Sequence, residues 1–113
     1  MPPSILQPLY DVITSMVHTD YKDAAYAIKE TIPRAMGKAM HLFDNLPVNP
    51  ACKETMRDYD LQYMDLSLNE INAFNTEKDY RDTIALDDLI KRFQGDMLLT
   101  KQRLEQGEAQ RNA

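Results

Sequence analysis

The residues of this chain best suited to chemistry are carboxylates. Asp58, Asp60 and Asp65 crowd one stretch, and Asp87 and Asp88 stand together in another. Gathered across a helical bundle, such groups can hold Mg²⁺ or exchange protons. Along single helices they are more simply solvated acidic faces, and that is the reading adopted. A histidine-based metal centre finds less support. A di-iron bundle needs Glu three residues before His on each of two helices. That position holds Ser15 before His18 and Lys38 before His41. No catalytic, cofactor-binding or metal residue is assigned, and no cofactor is expected.

Nucleophilic chemistry is no better served. Cys52 is the single cysteine and has no histidine near it in sequence, so it reads as a small side chain near a helix start. There is no Gly-x-Ser-x-Gly, and three glycines do not build a phosphate-binding loop. One string recurs: Asp20-Tyr21-Lys22-Asp23 and Asp79-Tyr80-Arg81-Asp82. Asp is a good helix N-cap, and a carboxylate in the first turn meets free N–H groups and the positive end of the helix dipole. The expectation is that Asp20 and Asp79 cap two helices, with Asp23 and Asp82 in their first turns. Beyond the string the likeness stops: Ile28, Ile32 and Ala35 correspond to Asp87, Lys91 and Gln94. Shared capping physics therefore explains the repeat better than duplication does.

The elements that must position these groups are helices. Leu6, Leu9, Ile13 and Met16 follow 3-4-3 spacing, which predicts a first helix over 4–17 with Ser4 as its N-cap. A second, over 21–45, carries Ala25, Ile28, Ile32, Ala35, Ala39, Leu42 and Leu46, widened by Met36, Met40 and Phe43. Pro33 predicts a kink or break in it near Thr31. The turn NLPVNP precedes a third helix over 51–74 with two apolar stripes: Met56, Tyr59, Tyr63, Leu66 and Leu61, Met64, Leu68, Ile71. The turn NTEKD precedes a fourth over 80–104, lined by Leu86, Ile90, Phe93, Met97 and Leu104. Residues 105–113 read as a frayed tail. No alternating apolar run marks a strand. The fold class expected is all-α: a single domain over 1–113, a four-helix antiparallel bundle of two helical hairpins.

Bulk properties limit the function. The 113 residues carry a net charge of −5. That argues against nucleic acid as partner, because phosphate recognition uses surplus Lys and Arg. The fourth helix is the most basic element, with Lys91, Arg92, Lys101, Arg103 and Arg111, but acidic residues are interspersed among them. No apolar run is long enough to span a bilayer, so no membrane partner is expected. The opening MPPSILQPLYDV has no basic segment and is broken by prolines, unlike a secretory signal. A lone cysteine suits a reducing compartment, so a cytoplasmic location is expected.

These observations converge on a non-enzymatic protein–protein interaction module, such as an adaptor, a small chaperone or a viral or phage accessory protein. The first helix, about 21 Å long, is shorter than the others at about 36 Å, so part of their stripes would stay uncovered. Met36, Met40, Phe93, Met97 and Leu104 are the expected self-association or partner surface, an apolar groove between helices two and four. A homodimer is the simplest occupant. The alternative is an acidic regulator of a nucleic-acid-handling protein, acting through Asp58, Asp60 and Asp65 and through Asp87 and Asp88. A metal-dependent enzyme on the same carboxylates ranks third.

Overall fold

In the computed structural model, which describes residues 4–112, the chain is all-helical and no strand occurs among the described residues. Helix α1 spans Gln7–His18, α2 Ala24–Tyr26, α3 Ile32–Asp44, α4 Pro50–Thr55, α5 Gln62–Thr76, α6 Lys78–Arg81 and α7 Leu86–Arg111. Two π-helical turns, Ala27–Thr31 and Met56–Asp60, join α2 to α3 and α4 to α5, so each pair runs on as a longer helical stretch. None of the described helices is long and apolar enough to cross a membrane.

Pro33 accounts for the first π turn. It has no N–H to give the Lys29 carbonyl, and its ring would crowd that carbonyl in a regular α-helix. The chain widens just before it: the Ile32 N–H bonds Ala27 O, five residues back. The irregularity that the sequence places near Thr31 thus takes the form of a π turn at Ala27–Thr31, and helical hydrogen bonding runs on past Pro33. The extra residue per turn also rotates the buried stripe. Ala27, Ile28, Ile32, Met36, Ala39, Phe43 and Leu46 are buried, while Ala25 is exposed and Ala35 and Leu42 are only half-buried.

Neighbouring elements run antiparallel, as their side-chain hydrogen bonds show. Along α1 and α7, Ser4 Oγ donates to Glu108 at one end, and Gln94 Nε2 donates to the Met16 and Thr19 carbonyls at the other. Along α5 and α7, Arg103 reaches the Tyr59 carbonyl, Ser67 reaches Asp96, and Arg92 reaches Glu70. Asn75 Nδ2 donates to the Ile28 carbonyl across the opposite seam. The core lies between these elements, and α7 packs against both α1 and α5.

Several helix ends differ from the sequence expectation: the helix expected from residue 21 begins at Ala24, and the one expected over 80–104 is interrupted after α6 and begins at Leu86. Ser4 caps a turn preceding α1, its hydroxyl accepting the Leu6 N–H, so the helix proper begins at Gln7. At the far end α7 continues through residues 105–111, where the sequence pattern read as a frayed tail. Glu108 supplies a reason: it accepts from the hydroxyls of Ser4 and Tyr10 and ties the last turns of α7 to the start of α1. Residue 113 of that tail lies outside the described residues.

The two copies of the Asp-Tyr-basic-Asp string fold differently. Asp23, not Asp20, is the N-cap of α2, accepting the Tyr26 N–H at 3.0 Å. Asp79 lies inside the single turn of α6, and Asp82 closes that turn, accepting from Lys78 Nζ. The long helix α7 starts after Ala85 with no side-chain cap. One sequence string therefore opens a helix in the first copy and ends one in the second.

Candidate functional site

The five residues expected to form an exposed groove do not form one. Met36, Phe93, Met97 and Leu104 are fully buried, and Met40 is half-buried with its sulfur facing Arg57. The length comparison misjudged what covers α7. Helix α1 lies along α7 from about Glu108 to Gln94, and the chain then stays on the same seam. Tyr21, in the α1–α2 connection, packs on Phe93 with ring centroids 6.5 Å apart, and α2 continues the cover. A connecting segment thus completes what the short helix leaves open.

The apolar surface that remains is elsewhere. Tyr59 is 59% exposed and Leu66 47% exposed on the α5 side, and Leu98 and Leu99 are 43% and 40% exposed on α7. Tyr59 belongs to the π turn Met56–Asp60, whose extra residue turns both Asp60 and Leu61 inward and Tyr59 outward. Tyr63 and Leu66 follow at helical spacing on α5, and Leu99 lies one turn from Arg103 on α7.

Arg103 organises this surface. Its guanidinium carbon sits 4.4 Å from the Tyr59 ring centroid and 4.6 Å from that of Tyr63. Its Nη1 donates to the Tyr59 carbonyl at 3.0 Å and to Gln62 Oε1 at 2.9 Å. A guanidinium held by two rings and two acceptors is rigid, and the rings it orders are rigid with it. Tyrosine and arginine in such an arrangement are the residue types that dominate binding energy at protein interfaces. Farther along, the Arg92–Glu70 ion pair, 2.8 Å, closes the seam.

Behind the seam lie two buried carboxylates. Asp96 accepts from Ser67 Oγ at 2.8 Å, and burial pushes its carboxyl pKa up despite that bond. Asp60, 5% exposed, lies beside Gly107, and burial raises its pKa against the opposing pull of Arg111 and Arg103. Tyr80 is a third internal polar group: its hydroxyl is buried near the Glu70–Arg92 pair and meets no partner with full hydrogen-bond geometry among the described residues.

The expected acidic faces are redrawn accordingly. Asp60 points into the protein and belongs to no surface. Asp58 is exposed, and Asp65 is half-buried beside Arg57 at 3.7 Å. Asp87 and Asp88 are exposed in the first turn of α7. The antiparallel pairing of α5 with α7 places these two sets toward opposite ends of the seam, so they form no single patch. No group of three or more His, Cys, Asp or Glu side chains that could hold a metal ion occurs among the described residues.

The carboxylate survey of the sequence passed over Glu105 and Glu108, three residues apart on α7. They line an open cleft of about 990 Å³ with Tyr10, Cys52, Met56 and Lys101. Glu108 is already engaged by Ser4 and Tyr10 there, and burial together with Glu108 raises the Tyr10 pKa. Cys52 gives its backbone N–H to the Asn49 cap and sets its sulfur 3.9 Å from that of Met56.

No protein-family model, curated protein or solved structure matches this chain.

Proposed function

We propose that this protein is a non-enzymatic protein–protein interaction module whose docking surface is the outer face of α7 with the adjoining edge of α5. The reading treats the architecture as a four-helix antiparallel bundle of two hairpins acting as a rigid platform in the cytoplasm, in the manner of an adaptor, small chaperone or phage accessory protein. One observation carries it: among the described residues, four of the six exposed large hydrophobic side chains lie on these two neighbouring elements, Tyr59 and Leu66 on the α5 side and Leu98 and Leu99 on α7. Scattered apolar side chains are normal on a protein surface, whereas a gathered set beside ordered aromatic rings supports an interface.

The test is native capture with the wild-type chain and with a Leu98→Asp/Leu99→Asp variant as baits. Both side chains point outward, so the variant keeps its helical circular dichroism. Proteins retained by the wild type and lost by the variant support the surface. Equal retention by both baits sinks it.

A further inference from the structure

We propose that the last turns of α7, residues 105–111, are a pH-responsive strap that lies closed over Asp60 while that carboxyl is protonated and lifts more readily as it ionises. The proposal is independent of the docking surface at Leu98 and Leu99. It starts from the second π turn. Pro33 accounts for the first, but no proline follows Met56–Asp60. Such turns inside helices gather at functional sites. This one turns Asp60 inward, and α7 covers it. A Cβ at Gly107 would stand 3.2 Å from Asp60 Oδ2 and 3.0 Å from Arg111 Nη1. A larger residue would push one of them aside. Glycine lets the α7 backbone close on the carboxyl group, and lets the Arg111 side chain fold back over the preceding turn.

Few charges face Asp60. From α7, Arg111 and Arg103 attract its carboxylate, yet neither forms an ion pair with it among the described residues. Arg103 is engaged by Tyr59, Tyr63 and Gln62. On α4, Lys53 donates to the Asp44 carbonyl and Glu54 is exposed. In the π turn itself Asp58 is exposed and Arg57 pairs with Asp65 of α5. Glu105 and Glu108 act on Tyr10 of α1. Loss of water is the largest effect, and it holds the Asp60 carboxyl above its ordinary pKa. The closed strap therefore binds the proton more tightly than the lifted one, in which water reaches Asp60. Closure is fullest below the ordinary carboxylate pKa and weakens as pH rises through the raised value. Arg111 limits the loss. The strap also lines the open cleft, through Glu105, Glu108 and Arg111, together with Cys52 and Met56, so lifting it widens that cleft.

Amide hydrogen exchange on the full chain tests this, read as protection relative to the intrinsic rate at each pH. Wild-type protection over 105–111 is expected to fall about three- to tenfold between about pH 4 and pH 7. Asp60→Asn is expected to keep the acid-level protection at every pH. Arg111→Gln should match wild type in acid, where Asp60 is neutral, and lose more than wild type at pH 7. Wild-type protection that does not change with pH overturns the strap. So does a fall that persists in Asp60→Asn, which would place the titrating group elsewhere, at Asp96 for instance. Should Asp60→Asn fail to fold, the exposed Arg111 carries the test: equal protection in Arg111→Gln and wild type at pH 7 overturns the proposal. Capture through Leu98 and Leu99 is a separate readout, so either idea can fail without the other.

Discussion

Ser67 and Asp96 meet inside the protein, the serine hydroxyl donating to the carboxylate at 2.8 Å between α5 and α7. The bond stabilises the ionised form, but the loss of water outweighs it, and the Asp96 pKa rises. A carboxyl group whose folded pKa exceeds its unfolded value binds more protons in the folded state. Stability from this group is therefore fullest below the ordinary carboxylate pKa and declines as pH rises through the raised value. Asp96→Asn keeps an acceptor for Ser67 and removes the buried charge. It is expected to stabilise the fold at pH 7, with the gain shrinking toward zero in acid. Urea unfolding of both chains at several pH values checks it, and a gain independent of pH would refute the electrostatic account.

How much of this could be read from the sequence depends on the two π turns. The Leu6, Leu9, Ile13 and Met16 stripe of α1 is buried as its spacing predicts, because α1 is a regular helix. In the stretch from α2 to α3 the helices were legible, but the face was rotated toward Met36 and Phe43, since the π turn at Ala27–Thr31 adds a residue that periodicity does not count. The same shift at Met56–Asp60 divides one apparent stripe: Met56 goes inside and Tyr59 outside. The candidate surface was hidden by that shift. Tyr59, Tyr63 and Leu66 have core-like spacing, and nothing local in the sequence says that Arg103, some forty positions away, will order their rings on the outside.

The neighbours Met97 and Leu98 separate core from surface within a single peptide bond. Met97 is fully buried and Leu98 is 43% exposed. Met97→Ala removes buried side-chain atoms and leaves a cavity, so a loss of about 2–4 kcal/mol is expected. Leu98→Ala trims an outward side chain and should stay within about 0.5 kcal/mol of wild type. Denaturant midpoints measure both. Comparable losses would mean that Leu98 is covered in solution, which an oligomer would also cause, so the pair is best compared at low protein concentration.

Glu108 links the two ends of the described chain. Replacing it with alanine strips the acceptor from the half-buried Ser4 hydroxyl and the buried Tyr10 hydroxyl. A loss of about 1–2 kcal/mol is expected, the usual cost of orphaning such donors. Its location is the sharper prediction: amide hydrogen exchange should accelerate over 105–111 and at the start of α1, while α5 stays protected. Uniform acceleration across all helices would show that the contact serves global stability alone and does not latch the end of α7.

The repeated string gives the most discriminating set of substitutions. Asp23 accepts the Tyr26 N–H and caps α2, so Asp23→Ala should cost about 1 kcal/mol. Asp20 is exposed and lies outside α2, and Asp79 is exposed within the short α6. Asp20→Ala and Asp79→Ala should therefore each stay within about 0.5 kcal/mol of wild type. Asp82 has only the exposed pair with Lys78, 2.8 Å, a type worth under about 1 kcal/mol, and high salt should erase its contribution. If the first aspartates of both copies proved costly and the last ones silent, the two strings would share a capping role in solution, and the different local folds described for them would be wrong.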